Sequence, residues 1–177
     1  LGPDQYAAGE AAGAAAMVRD VRAEATLRPE RPLLTCDLRN AFGCVSWNDA
    51  LEKARIAAPK IAPCLASLWR SGNQKLIVET DHGEWQEIVA TGSVDQGGQD
   101  DQPTFCLIAH EIAMRENAKM SPDARADVRF FMFVDDLTYS VSMQYVPETV
   151  KAISEAAASM GLDLVPEKSK MHVPAWR

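Results

Sequence analysis

Two adjacent aspartates, Asp135 and Asp136, directly follow an apolar run that extends from Phe130 to Val134. Aspartate is uncommon inside strands, so the pair predicts a turn at these two residues, between the two strands of a hairpin. A plain hairpin is the simplest interpretation, because short motifs often match by chance. The alternative is a turn that presents carboxylates to a hard cation such as Mg²⁺, which binds a few carboxylates together with water and substrate phosphates.

A third carboxylate, Asp37, ends another short apolar run, residues 33–36, which predicts a buried strand. A magnesium site of this kind needs carboxylates from more than one strand, and Asp37 supplies one. Phe42 stands five positions later, where an aromatic ring could lie against the sugar of an incoming nucleotide. Each residue has a simpler interpretation when taken alone, since Asp37 could cap a helix or turn and Phe42 could belong to the core.

The elements that must position these residues follow from the apolar periodicity and from the proline and glycine breaks. Ser46 is the predicted N-cap of the second helix. Helices are predicted over residues 5–27, 47–57, 61–70, 103–119 and 147–160. Strands are predicted over residues 33–36, 75–79, 85–89, 128–134, 137–141, 162–165 and 170–173. This order predicts an α+β fold around an antiparallel sheet.

Four segments resemble motifs of the reverse transcriptase family, and they follow one another along the chain in the family's order. The first catalytic motif is similar to LLTCDLRNAFGCVSW (residues 33–47), and the aromatic-x-Asp-Asp hairpin is similar to FMFVDDLTYS (residues 131–140). Between them, the Gln-Gly motif is similar to GSVDQGGQDDQPTF, with Gln96, Gly97 and Phe105 at the family's spacing. The fourth segment, GLDLVPEK, resembles the one that places a lysine, here Lys168, near the nucleotide phosphates.

This resemblance implies a reverse-transcriptase-like palm, an antiparallel sheet with helices packed on one face. The Ala-rich beginning is similar to the fingers-to-palm helix of non-LTR retrotransposon enzymes, the subfamily that the chain resembles most. Residues 1–31 would then be the helical fingers-to-palm segment and residues 32–177 the palm domain. Most of the fingers and the thumb are absent, so the chain is expected to be a fragment of a longer RNA-directed DNA polymerase.

The resemblance also assigns roles to single residues. Asp37, Asp135 and Asp136 would be catalytic and would hold two Mg²⁺ ions, or Mn²⁺, with the backbone carbonyl of Leu38 as a further ligand. The nucleotide-binding set would be Leu38, Arg39, Phe42, Gln96, Gly97 and Lys168. Lys168 could instead be a surface lysine, and Arg39 a solvated partner of local acids. The implied partners are an RNA or DNA template with its primer, deoxynucleotides, and the missing fingers, thumb or endonuclease segments of the parent protein.

Several features depart from the family's pattern and keep two rival functions open. The Gln-Gly motif carries two extra acids, Asp100 and Asp101, and Val165 replaces the family's usual asparagine. A catalytically silent remnant with a binding role would fit these departures. An RNA-directed RNA polymerase has a similar palm, but such enzymes usually carry an aspartate and a glycine where this chain has Phe42 and Val134.

Charge and composition set further limits. The net charge is −7, and affinity for nucleic-acid backbones comes mainly from lysine and arginine, so this chain alone is expected to bind nucleic acid weakly. No apolar run is long enough for a membrane span and the beginning lacks the layout of a signal peptide, which predicts an intracellular protein, nuclear if it is a retrotransposon enzyme. Cys36, Cys64 and Cys106 lie in apolar sequence and are predicted to be buried thiols.

Overall fold

Seven α-helices and six β-strands make up the computed structural model, which describes residues 4–7, 11–39, 41–70, 75–89 and 101–173. In chain order the helices are α1 Gly13–Leu27, α2 Ala41–Cys44, α3 Trp47–Ala57, α4 Ala62–Arg70, α5 Asp101–Lys119, α6 Pro122–Asp127 and α7 Val146–Ala158. The strands are β1 Leu33–Cys36, β2 Lys75–Glu79, β3 Trp85–Val89, β4 Arg129–Phe133, β5 Asp136–Ser140 and β6 Lys170–His172. The fold is therefore mixed, as the sequence predicts.

Four of the strands form an antiparallel sheet in the order β4-β5-β1-β6. In this sheet Cys36 of β1 lies opposite Leu137 of β5, and Thr35 lies opposite Lys170 of β6. The strand that continues into Asp37 is thus central, with the hairpin of β4 and β5 on one side. The hairpin of β2 and β3 forms a separate two-stranded sheet with the predicted bounds.

The two faces of the four-stranded sheet differ in chemistry because side chains alternate along each strand. One face carries buried apolar residues, including Leu34, Cys36 and Leu137, and it meets α5, where the Tyr139 hydroxyl bonds to Glu116 at 2.7 Å. The opposite face is more polar and is crossed by α1. The predicted packing of helices on one face is correct for α5, but α1 occupies the other face.

A network of polar side chains attaches α1 to this second face. Glu24 is buried and accepts a hydrogen bond from Ser140 of β5 at 2.9 Å. Arg31, just before β1, donates to the backbone carbonyl of Asp127 at 2.7 Å and pairs with its carboxylate. The same carboxylate accepts from the backbone N–H of Ser142 at 2.7 Å. These bonds fix the end of α1 against β5.

The beginning of the chain departs from the predicted helix, which was expected from residue 5. Helix α1 starts at Gly13, and Gln5 instead pairs in parallel with Met132 on the edge strand β4. The N–H of Tyr6 donates to Met132, and Met132 donates to Asp4, both at 2.9 Å. The physical reason is that an edge strand exposes unpaired backbone groups, and this segment satisfies them.

Other predictions are confirmed only in part. Ser46 caps α3, accepting from the N–H of Asp49 at 3.3 Å. Residues 162–165, predicted as a strand, contribute only an isolated bridge between Leu164 and Leu38. Cys36 and Cys106 are buried as predicted, whereas Cys64 is exposed, so the prediction for Cys64 is wrong.

Within the described ranges, no helix combines the length and the apolar character needed to cross a membrane.

Candidate functional site

The hairpin of β4 and β5 carries the aspartate pair, but its turn is one residue earlier than predicted. Phe133 pairs with Asp136, so the two turn residues are Val134 and Asp135, and Asp136 begins β5. Two-residue hairpin turns require positive φ, and Val134 has a φ of 56°. A β-branched residue is strained in this conformation, and such strain clusters at functional sites. Val134 is buried, so the core holds the strained turn in place.

The sheet register brings Asp37 to the same place. Because Cys36 lies opposite Leu137, the next residue of the central strand, Asp37, is placed opposite Asp136. Asp37 and Asp136 line one cavity of about 440 Å³, together with Phe133. Asp135 is exposed in the adjoining turn.

Electrostatic interactions connect the three acids. Desolvation is the largest cause that raises the pKa of Asp136, and the charges of Asp135 and Asp37 raise it further. The folded protein therefore brings like charges together at the end of the central strands, which is unfavourable unless cations neutralise them.

The donor set fits magnesium in one particular way. Among the residues that the structure describes, no three His, Cys, Asp or Glu side chains are grouped closely enough to hold a metal ion. Asp37 and Asp136 instead face one cavity as a pair. Mg²⁺ takes one or two carboxylates and completes its shell with water and phosphate oxygens. These residues therefore fit an ion bound jointly with a phosphate ligand rather than in an all-protein cage.

The segment after β1 exposes a backbone carbonyl toward the same side. Leu38 bridges Leu164, flanked by hydrogen bonds from Val165 to Asp37 at 2.9 Å and from Arg39 to Asp163 at 2.8 Å. This is the non-hydrogen-bonded pair of an antiparallel ladder, so the N–H and C=O of Leu38 point away from Leu164, toward the side of β5. Within the described ranges the Leu38 carbonyl accepts no backbone hydrogen bond.

The turn at residues 166–169 brings a basic side chain to the cavity. Ser169 fixes this turn, because its hydroxyl accepts from the N–H of Asp37 at 3.2 Å and donates to the carbonyl of Val165 at 2.8 Å. Lys168 lines the cavity with the two aspartates, and so does Lys170 of β6. Sequence reasoning missed Lys170. Its pairing with Thr35 of β1, which the local sequence does not reveal, brings Lys170 to this face of the sheet.

Phe42 lies on α2 and rests on the protein core. Its ring stacks on that of Phe105 in α5, with centroids 4.5 Å apart and planes inclined by 27°. Phe105 is fully buried, while Phe42 is half-buried. The structure thus packs the first motif against Phe105, the last residue of the segment that resembles the Gln-Gly motif. Phe42 is not among the residues lining the cavity of Asp37, so its role beside a sugar stays a prediction.

The remaining predicted residues are placed less fully. Arg39 is exposed, and it forms no ion pair with any residue in the described part of the chain. Gln96 and Gly97 lie outside the described residues. Seven predicted site residues thus lie in the described ranges: Arg39 is exposed, Phe42 lies on the neighbouring helix, and five lie around the end of the central strands, namely Asp37, Leu38, Asp135, Asp136 and Lys168.

The fold is similar to that of telomerase. The apo telomerase of Candida tropicalis superposes with a TM-score of 0.69 at 12% identity, covering 97% of this chain and 33% of that chain. The telomerase of Candida albicans in complex with the TWJ fragment of telomeric RNA gives 0.66 at 13% identity, with 97% and 32% covered. A C-terminally truncated apo telomerase from C. tropicalis gives 0.66 at 12% identity, with 98% and 37% covered. This chain thus spans about a third of these proteins.

Comparison of sequences adds no relative. No protein-family model matches the chain, and no curated protein matches it either. At this level of identity the structural likeness establishes the fold alone.

Proposed function

We propose that this chain is the catalytic palm of an RNA-directed DNA polymerase. The observation that carries the proposal is the register that sets Asp37 opposite Asp136, in one cavity with Lys168 and next to the strained hairpin turn. Telomerase, whose fold this chain resembles, is a reverse-transcriptase-related enzyme, which supports the same reaction class. The assignment to non-LTR retrotransposons, and with it a nuclear location, rests on the sequence motifs.

The proposed reaction transfers a nucleotide to a primer. The primer 3′-hydroxyl gives up its proton to solvent as its oxygen attacks the α-phosphate of a deoxynucleotide. A phosphodiester bond forms, the bond between the α- and β-phosphates breaks, and pyrophosphate leaves with the electrons of that bond. Asp37, Asp135 and Asp136, with the Leu38 carbonyl, would hold Mg²⁺ or Mn²⁺. The metal chemistry supplied there is stabilisation of charge on the attacking and leaving oxygens.

The basic and aromatic residues of the chain would orient the nucleotide. Lys168 and Lys170 line the cavity opposite the acids and would bind the triphosphate, with Lys168 placed to neutralise the leaving pyrophosphate or give it a proton. Arg39 is exposed at the end of the central strand and would reach the same phosphates. Phe42, supported by Phe105, would lie against the sugar and leave no room for a 2′-hydroxyl.

The template and primer would need more protein than this chain contains. The telomerases of similar fold are about three times as long, and one of them was solved with a fragment of telomeric RNA. We infer that the parent protein binds an RNA or DNA template with its primer largely through segments outside this chain. The acidic charge of this chain supports that division.

The second candidate is a silent remnant that folds as a palm and cannot polymerise. The net charge of −7 and the absence of a three-residue metal group among the described residues favour it. Primer extension distinguishes the two candidates. The protein that contains this chain, supplied with Mg²⁺, deoxynucleotides and a DNA primer on an RNA template, should extend the primer in a template-directed manner.

The matched variants are Asp37→Asn in the site and Asp81→Asn in the exposed turn between β2 and β3. Asp37→Asn should lower incorporation by at least about 100-fold, the scale of losing one electrostatic contact to the transition state, and Asp81→Asn should leave it unchanged. Extension that persists in Asp37→Asn would refute the assigned site. A folded wild-type protein that never extends a primer would establish the remnant.

A further inference from the structure

A second cavity, of about 560 Å³, lies away from the aspartates, between α5, β4 and the segment at residues 4–7. Its volume is within the range of small-molecule sites. The lining is mixed, and its apolar part comes from Ala113, Met114, Val128, Phe130 and Met132. The polar groups that line it are Asp4, Tyr6, His110, Glu116, Asn117 and Arg129. None of these residues takes part in the proposed polymerase site.

Glu116 is the unusual member of this lining, because it is only 2% exposed. One of its carboxyl oxygens accepts a hydrogen bond from the Tyr139 hydroxyl at 2.7 Å. No described residue forms a hydrogen bond with the other oxygen. That oxygen is not completely buried, and Glu116 lines the cavity, so the oxygen opens onto the cavity. Burial raises the pKa of Glu116 to about 8, although the Tyr139 bond opposes that shift. The carboxyl is therefore mostly protonated at neutral pH.

No ion pair with Glu116 occurs within the described ranges. From the sheet it is faced by Tyr139 and Cys36, and across the cavity lie Asp4, Tyr6, His110 and Arg129. The helices on the other side of α5 contribute Lys53 of α3 and Glu155 of α7, but these pair with Glu111 at 3.0 Å and with Lys119 at 3.2 Å. Glu116 thus presents a neutral carboxyl, with one oxygen occupied by Tyr139 and the other free to donate its proton.

We propose that this cavity is a binding site for a small, planar, uncharged ligand whose carbonyl or ring nitrogen accepts a hydrogen bond from the Glu116 carboxyl. The apolar part of the lining, Val128, Phe130 and Met132, can pack against a ring, and Glu116, the one buried polar residue of the lining, fixes the orientation of that ring. An anion could pair with Arg129 only in the exposed part of the lining, where Asp4 would repel it, and beside the buried Glu116 carboxyl it would find no cation. A cation would have to displace the proton of Glu116 before it could pair. The proposal is independent of the polymerase function.

Three probes of one shape test the class of ligand: benzamide is uncharged, benzamidine is a cation and benzoate is an anion. Each is titrated into the isotope-labelled full chain at pH 7 while the amide signals are followed by NMR. Benzamide should bind with a Kd on the order of 1 mM, as expected for a ligand of this size, and should shift the signals of Ala113, Val128 and Met132. The two charged probes should bind at least about fivefold more weakly.

Variants and pH locate the site. Ala113→Leu fills the cavity and should weaken benzamide binding by at least about tenfold, while Ala118→Leu, exposed on the same helix, should not change it. Should Ala113→Leu fail to fold, Met114→Trp at the exposed rim blocks the entrance without disturbing the core. Between pH 7 and pH 9 the wild type should lose affinity about tenfold as Glu116 ionises, and Glu116→Gln, which keeps a donor, should not.

Two results would overturn the proposal. Benzamidine binding more tightly than benzamide at pH 7 would show that the cavity selects cations. Signals around the cavity that do not move with any probe up to about 20 mM would show that it is not a ligand site, because a Kd near 1 mM would be saturated there.

Discussion

At the residue scale, the ionisation of Asp136 in the proposed metal site changes the free energy of unfolding. Its pKa is raised by desolvation and by Asp135 and Asp37, so the folded protein holds this proton more tightly than the unfolded chain. The resulting stability is fully present below the ordinary carboxyl pKa of 3.8 and is lost as pH rises through the raised value. At neutral pH and without metal, the ionised carboxylate is therefore destabilising.

Asp136→Asn removes this repulsion. Without metal, the variant should melt about 1–3 °C above the wild type at pH 7, a small gain because solvent screens the exposed part of the charge, and the two should converge below about pH 3. Added Mg²⁺ should raise the wild-type Tm and leave the variant nearly unchanged. Thermal denaturation with and without Mg²⁺ measures both effects, with Asp81→Asn as the exposed control. Equal responses to Mg²⁺ in wild type and Asp136→Asn would place the ion elsewhere.

Phe42 tests the sugar selectivity of the proposed polymerase. Since the ring is held by Phe105, removing it should open space beneath the sugar without disturbing the aspartates. In the active parent enzyme, Phe42→Val should raise ribonucleotide incorporation relative to deoxynucleotides by at least about tenfold, or about 1.4 kcal/mol of differential transition-state stabilisation. Phe130→Val is the control, because the Phe130 ring packs at a tilt against Tyr139, with centroids 4.8 Å apart, and is not among the residues that line the cavity of Asp37. An unchanged ratio in Phe42→Val would make Phe42 a core residue only.

The residues of the proposed site could be predicted from the sequence where they directly follow an apolar run that predicts a strand. Asp37 and the Asp135–Asp136 pair follow apolar runs, and that pattern is local. Lys170 and Glu116 could not be predicted, because their surroundings are made by tertiary packing. Glu116 lies on a helix with nothing in its neighbouring sequence to show that Tyr139, 23 residues away, would share its carboxyl.

At the scale of elements, the hairpin of β4 and β5 connects the turn of the proposed site to the core. The turn demands positive φ, and the sequence supplies a valine that is 7% exposed. Its packing favours valine and its backbone favours glycine, which removes a steric cost of about 1–2 kcal/mol in this conformation. The two effects oppose each other at one residue.

The hairpin therefore predicts an inverted order of stability. Val134→Gly should be at least as stable as Val134→Ala, because both lose the buried methyl groups and only glycine relieves the strain. Val141 is the matched control, since it is also buried but is not among the residues with positive φ, and there glycine should be less stable than alanine by about 1 kcal/mol. Urea denaturation of the four variants measures the order. Glycine falling below alanine at both positions would mean that the turn stores no strain.

Elements set by interactions between residues close in sequence were predicted more accurately than elements set by contacts between distant parts of the chain. The hairpin of β2 and β3 was predicted with its observed bounds, because alternation and a glycine turn are local signals. The start of α1 was predicted too early, since the Ala-rich sequence favours helix while the edge of β4 recruits residues 4–6 for pairing. The turn at residues 134–135 was displaced by one residue because the pairing of Phe133 with Asp136 sets it.

At the scale of the whole molecule, the net charge opposes the proposed function. A nucleotide-transferring palm must work beside phosphates, yet this chain carries 25 acidic against 18 basic residues. The basic residues that face the proposed site, Lys168 and Lys170, are opposite acids in the same cavity. They suit a triphosphate held with metal better than a long duplex. The chain also spans about a third of the telomerases whose fold it resembles, and the proposed division of template binding between this chain and segments outside it would resolve the opposition.

This division predicts weak binding of nucleic acid by the chain alone. In 150 mM salt, a fluorescent primer–template should bind with a Kd weaker than about 10 µM, because few cations are available to neutralise phosphates. Fluorescence anisotropy between 50 and 200 mM salt should give a shallow dependence, with a log–log slope smaller in magnitude than about 3. Lys170→Ala should reduce the magnitude of that slope by about 1 if the lysine contacts a phosphate. The control Lys60→Ala should leave the slope unchanged, because Lys60 is exposed and does not line the cavity. Submicromolar binding with a slope steeper than about 6 would show that this chain binds the duplex by itself. The nucleic-acid surface would then be expected on the face of the sheet that α1 crosses, and not in segments outside the chain.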